Sequence, residues 1–140
     1  MKRILVAVDG SEPSLHAAKL AGELASKLGA RLTLAYAAVP MVYPAETAWV
    51  PVNEVERATE AHGQEILKQA AAALHELGIE TSTLILHGPA AETIADAVKA
   101  EDIDLVAVGS RGRGAVARVL LGSVADRLVH ICTKPVLVVR

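Results

Sequence analysis

The stretch Gly109-Ser110-Arg111-Gly112-Arg113-Gly114-Ala115-Val116-Ala117-Arg118-Val119-Leu120-Leu121-Gly122-Ser123 holds the chain's densest set of groups suited to an anion. Arg111, Arg113 and Arg118 lie in it without an acidic residue between them. Such clustering favours a polyphosphate over a single carboxylate. The run Asp104-Leu105-Val106-Ala107-Val108 before it reads as a buried strand, and Val124 to Ile131 after it reads as a helix. A strand, a glycine-rich turn and a helix start together form a phosphate site. Glycines let the backbone approach the oxygens, and the helix start offers unpaired N–H groups at the positive end of its dipole.

The spacing narrows the choice. No Lys-Ser or Lys-Thr follows a glycine as a Walker A loop requires. The dinucleotide fingerprint is also absent, since Gly109 and Gly112 are separated by two residues and lie far from the first strand. The pattern present is Gly109-x-x-Gly112, nine residues, then Gly122-Ser123. With this signature the chain resembles the universal stress proteins. The likeness extends to Ile4-Leu5-Val6-Ala7-Val8-Asp9-Gly10-Ser11, to His87-Gly88-Pro89 and to Pro135-Val136-Leu137-Val138-Val139, so it covers residues 1–140 as one domain.

The resemblance implies an adenine-nucleotide site, with ATP the expected ligand and ADP or AMP as alternatives. Gly109 and Gly112 would let backbone amides reach the phosphates. Gly122, the Ser123 amide and the Ser123 hydroxyl would complete that end, and Arg111 is the expected side-chain contact. The same glycines would also suit a tight turn and close packing, and Ser123 would also suit a helix N-cap. Asp9 matches an acid that lies beside the nucleotide in the family. A carboxylate beside phosphates calls for a bridging cation, so Mg²⁺ is expected there, held through Asp9. The alternative for Asp9 is a cap or turn residue before the first helix. By resemblance alone, Ala7 and Val8 flank the base near the first strand, Ala37 flanks it near the second, and Val108 and Val124 line the site.

Bulk properties agree with one aliphatic domain. A chain of 140 residues, 52% of them hydrophobic, can build one sizeable core. Its aromatics are Tyr36, Tyr43 and Trp49, so that core rests on Ala, Leu, Val and Ile. The formal net charge of −2 and the lack of aromatic platforms argue against a general nucleic-acid binder. Cys132 is the only cysteine, which fits a reducing cytoplasm and reads as a small apolar residue at a helix end. The basic-then-apolar start stops at Asp9 without a cleavage site, so it reads as a strand and not a signal peptide. No apolar run approaches the ~20 residues of a membrane span. The histidines at 16, 62, 75, 87 and 130 have no metal-ligand spacing, so a structural zinc site is not expected.

The elements that must position the site follow in order. Strands are expected at 3–8, 31–38, 80–86, 104–108 and 136–139. Helices are expected at 12–28, from the capping box at Asn53 to Leu77, at 90–100, and at 124–131 with Ser123 as its cap. Ser11 should cap the first helix, and Gly29 and Gly78 should end the first two. The apolar stripes are Ala17, Ala21, Leu24, Ala25 and Leu28 in the first helix and Ile66, Ala70, Ala73, Leu74 and Leu77 in the second. Ile94, Ala97 and Val98 should face inward in the third. Residues 39–52, with Pro40, Pro44 and Pro51, read as a surface excursion, a lid or a dimer contact, and 115–120 as a short helical turn.

Alternation of this kind predicts an open parallel α/β sheet with helices on both faces. The resemblance gives it a Rossmann-like, adenine nucleotide alpha hydrolase-like form with strand order 3-2-1-4-5, which brings Asp9 and the glycine loop to one crevice. The last strand, Val136 to Val139, is apolar on both faces and should be an edge. The family pairs this strand with its copy, so a homodimer is expected, a helix cover being the alternative. The first functional expectation is a dimeric, ATP-binding, nucleotide-responsive stress regulator acting on an unknown downstream protein. The alternatives are a weak ATPase or self-phosphorylating protein, with Ser110 or Ser123 as acceptor, and a dimeric module that binds no nucleotide. No catalytic residue is singled out.

Overall fold

A computed structural model describes residues 1–39, 52–112 and 121–140. The proline-rich stretch 40–51 and the expected turn at 115–120 lie outside the described residues. In chain order the elements are β1 (Arg3–Ala7), α1 (Glu12–Leu28), β2 (Arg31–Ala38), α2 (Val52–Glu76), β3 (Thr81–His87), α3 (Ala90–Ala100), β4 (Leu105–Gly109), α4 (Ser123–Ile131) and β5 (Val136–Val139). The strands form one parallel sheet in the order β3-β2-β1-β4-β5, as expected.

The middle strand shows why this sequence makes a layered fold. Ile4, Leu5 and Val6 of β1 are fully buried. Alternation sends Ile4 and Val6 to one face of the sheet and Leu5 to the other. Ile4 and Val6 join a cluster with Ala17, Ala21 and Ala25 of α1 and Ile66, Leu67 and Leu74 of α2. Leu5 joins a second cluster with Ile94 and Val98 of α3 and Leu128 of α4. Each fully buried Leu or Ile contributes about 1.5–3 kcal/mol, so both aliphatic layers are needed to hold the sheet. The alanine stripe of α1 lets that helix lie close on β1 and β4.

Local signals set most boundaries. The Ser11 hydroxyl accepts from the Ser14 amide at 3.3 Å and caps α1. Gly29 ends α1 at φ +65°, a conformation glycine adopts without a Cβ penalty. Three expectations need correction. Leu28 and Leu77 are 51% and 57% exposed, so neither belongs to an inward stripe. Leu28 closes α1, and Leu77 lies past the end of α2; Ile79, 8% exposed, takes the inward place where Gly22 leaves a notch against its Cδ1. Ser123 is not the cap of α4. Gly122 is the N-cap and its carbonyl accepts from Asp126, so the helix begins one residue earlier than the Ser-x-x-Asp pattern suggests.

The strand limits also shift slightly. β1 ends at Ala7, although the Val8 amide still donates to Ala35 O at 2.8 Å. β3 moves on by one residue to Thr81–His87. Gly109 lies within β4 opposite Val139, not beyond the strand. Asp104 stands before β4, and its Oδ2 accepts the amides of Lys2 at 2.7 Å and Arg3 at 3.0 Å. Among the described residues β5 pairs with β4 alone and is an edge. Val136 and Val138 pack on the α3/α4 side, Leu137 and Val139 on the α1/α2 side, all half-buried. No described helix is long and apolar enough to cross a membrane.

Asp104 gives a pH test of this frame. Its carboxyl is held below the ordinary range, first by the Lys2 amide and then by the Arg3 amide. A depressed folded-state pKa contributes stability above the unfolded value that is lost as pH falls through the folded one. Asp104→Asn should therefore melt lower than the parent at neutral pH, with the difference shrinking below about pH 4, the ordinary Asp value. Thermal melts across that range check it; a constant difference would place the effect elsewhere.

Candidate functional site

The C-terminal ends of β1, β2 and β4 open into a cleft of about 550 Å³. This lies within the usual range for small-molecule sites. Its position beyond the parallel strands, where the chain order reverses between β1 and β4, is the one open α/β sheets use. Every residue expected at the nucleotide site lines it: Ala7, Val8, Asp9, Ala37, Val108, Gly109, Arg111, Gly112, Gly122, Ser123 and Val124. Ser14, Ala35, Tyr36, Val39, Ala90, Ile94 and Ala125 also line it and were not anticipated. Period-two alternation with Ala37 could have pointed to Ala35. Tyr36 and Val39 follow from the strand-end rule. Ser14 carried no signal, because it stands at a helix start where a cap or a solvated residue would do.

The glycines close the loop by backbone packing. A Cβ on Gly109 would stand 2.8 Å from Pro13 C and Ser14 N, so only glycine lets the start of α1 rest on β4. A Cβ on Gly122 would meet Arg111 Cα at 3.0 Å, Ser110 O at 3.2 Å and Gly112 N at 3.3 Å. The Gly122 amide donates to Ser110 O at 2.6 Å, and the Ser110 amide donates to Val139 O at 2.6 Å. Residues 110–112 are thus packed against the start of α4, and Ser110 is tied to β5. The close-packing role weighed for these glycines is present, and it places Arg111, Gly112 and Ser123 on one wall.

The two ends of the cleft differ in chemistry. One end has Asp9, Arg111 and the first turn of α4, where the N-cap Gly122 has no side chain to occupy the helix amides. Asp9 Oδ1 accepts from the Ser11 amide at 2.9 Å and the Ser11 hydroxyl at 2.5 Å. Asp9 Oδ2 lies 2.8 Å from where a Cβ on Gly112 would stand. The other end is aliphatic, with Ala35, Ala37, Val39, Ala90 and Ile94. Behind it the Tyr36 ring fills the notch at Gly63 of α2 and meets His62 edge-on at 6.4 Å.

The helices framing the cleft are joined on the outside. Arg127 Nε of α4 donates to Glu92 Oε1 of α3 at 3.1 Å, and the Glu92 carboxyl is held low by its own amide first and by Arg127 second. Such an exposed pair adds little stability. Of the serines considered as phosphoacceptors, Ser123 is exposed on the cleft, whereas Ser110 is buried and off its lining. The arrangement suits a ligand with an apolar planar body and an anionic tail.

The packing roles of two glycines separate in a substitution. Gly109→Ala forces a Cβ onto backbone and should cost about 1–3 kcal/mol, as overpacking does. Among the described residues, a Cβ on Gly112 would meet a side-chain oxygen of Asp9 and not backbone, so Gly112→Ala should cost less. Denaturant midpoints of the two variants check the order; equal losses would contradict it.

Comparison with known proteins agrees with this architecture. The sequence profile of the universal stress protein family matches residues 1–140. A universal stress protein of Methanocaldococcus jannaschii is 35% identical over 142 residues, covering 99% of this chain and 82% of the relative. One from Thermus aquaticus is 36% identical over 141 residues, covering 99% and 98%. Among solved structures, UspA from Lactobacillus plantarum is 27% identical with a TM-score of 0.86, covering 99% of this chain and 97% of its own. A universal stress protein in complex with cAMP is 25% identical with a TM-score of 0.62, covering 99% and 96%. An Arabidopsis thaliana member with AMP bound is 20% identical with a TM-score of 0.71, covering 99% and 91%, and shows the fold alone. Profile, relatives and fold converge: the chain belongs to the universal stress protein family.

Proposed function

We propose that this chain is an adenine-nucleotide receptor, with ATP as its principal ligand, that acts as a nucleotide-responsive regulator. The observation that carries the reading is the two-ended cleft. Residues from β1, β2, β4 and α4 line one space, aliphatic at one end and at the other equipped with an arginine and an uncapped helix start. The aliphatic end suits the base, with Ala37 and Ala7 leaving room for a flat ring. The α4 end suits the phosphates, which the Ser123 and Val124 amides and the helix dipole would favour. The cAMP complex of the related structure supports an adenine nucleotide as the ligand class.

The donor set fits a divalent cation carried in with the nucleotide. Mg²⁺ is usually held by one or two carboxylates together with the phosphates. Asp9 is the carboxylate on the cleft, and the cation would screen it from the phosphate charge. The edge strand β5 is the proposed seam of a homodimer. Its unpaired side would be satisfied by the same strand of a second copy.

Two measurements test the reading. Purified without added nucleotide and then denatured, the protein should release an adenine nucleotide detectable by mass spectrometry, or else bind Mg-ATP in a calorimetric titration. Gly122→Val should abolish that binding, because its side chain collides with the backbone at 110–112. Unchanged affinity would show that the loop is not the phosphate site. Truncation before Val136 should yield monomers or aggregates in sedimentation; a clean dimer would rule out pairing through β5.

A further inference from the structure

Among the described residues, Ser14 and Ser110 are the buried polar side chains, and Ser14 alone of the two lines the cleft. Ser14 is 4% exposed in the first turn of α1, beside a stripe of alanines. Alanine would fill the same volume and favour the helix more. A buried hydroxyl is tolerated only where it is hydrogen-bonded, so its partners indicate what it does. The Ser14 hydroxyl donates to Ser11 O at 2.9 Å and accepts the Asp9 amide at 3.3 Å.

These bonds close a small network. The Ser14 amide donates to the Ser11 hydroxyl, which donates to Asp9 Oδ1, and the Ser11 amide donates to the same oxygen. The main chain of Asp9 is therefore held from one side by Ser14 and its carboxylate from the other by Ser11. With Oδ1 so engaged, Oδ2 is the oxygen turned toward Gly112. Ser14 is also packed closely on β4, since a Cβ at Gly109 would stand 2.8 Å from its amide nitrogen.

We infer that Ser14 is a positioning residue of the nucleotide cleft. It fixes Asp9 at the end of β1 so that one carboxylate oxygen faces the phosphate loop, where a nucleotide-borne Mg²⁺ would meet it. The inference rests on the nucleotide reading above and assigns within it a residue whose hydroxyl is bonded to the main chain of Asp9 and Ser11. Its effect must pass through Asp9, which separates it from a residue that merely packs.

The test is a double-mutant cycle with Mg-ATP, using the full chain, Ser14→Ala, Asp9→Asn and the double variant. Ser14→Ala should keep the fold by circular dichroism and weaken Mg-ATP about tenfold, within the range for coupled groups in one network. In the Asp9→Asn background the same change should have almost no effect. An equal loss in both backgrounds overturns the inference and leaves the cleft reading intact. Failure of the unsubstituted chain to bind any adenine nucleotide overturns both. A second readout needs no ligand: exchange of the Asp9 amide, followed by NMR, should speed up in Ser14→Ala. Unchanged protection would show that the hydroxyl does not hold that amide.

Discussion

Backbone contact between the start of α1 and the end of β4 is the constraint on which the site depends. At Gly109 the two main chains are too close for any side chain, and at Gly122 the start of α4 presses less closely but still tightly on residues 110–112. Glycine in a strand loses more conformational entropy than other residues, roughly 0.5–1 kcal/mol against alanine. That loss is small beside the aliphatic layers, where each fully buried Leu or Ile contributes more. The fold can therefore support close backbone approach at its strand ends. The outcome is a cleft whose α4 end, among the described residues, is shaped largely by main-chain groups.

Two features transmit this constraint beyond the loop. The Ser110 amide is bonded to Val139 of β5, so the proposed phosphate loop and the sheet edge share a hydrogen bond. On the opposite side, Tyr36 sits beside the cleft and against Gly63 of α2. Occupancy of the cleft thus has short physical routes to the edge strand and to the second helix. These are the parts a nucleotide-responsive regulator would use to present its state to a partner.

Much of this was legible in the sequence because it is written in local rules. The apolar runs gave the strands, glycine and proline the punctuation, and the spacing of Gly109, Gly112, Gly122 and Ser123 the cleft wall. The failures lie where tertiary packing overrides those rules. Leu28 and Leu77 fit a helical stripe, but one stands at a helix end and the other beyond one, while Ile79 takes the buried place. Ser123 has the composition of a cap, yet Gly122 holds that position because its backbone must meet the loop. Ser14 was invisible for a further reason. Its partners, Asp9 and Ser11, are near in sequence, but only burial under the sheet distinguishes its hydroxyl from an ordinary helix-start serine.

The central claim is that an adenine nucleotide occupies this cleft with its phosphates at the start of α4. A titration of isotope-labelled protein with Mg-ATP, followed by amide chemical shifts, tests it most directly. The account predicts that the largest shifts fall at Asp9, at Gly109 to Gly112 and at Gly122 to Ala125, with smaller ones at Ala35 to Ala37. Shifts confined to another face of the molecule, or none at saturating Mg-ATP, would contradict it.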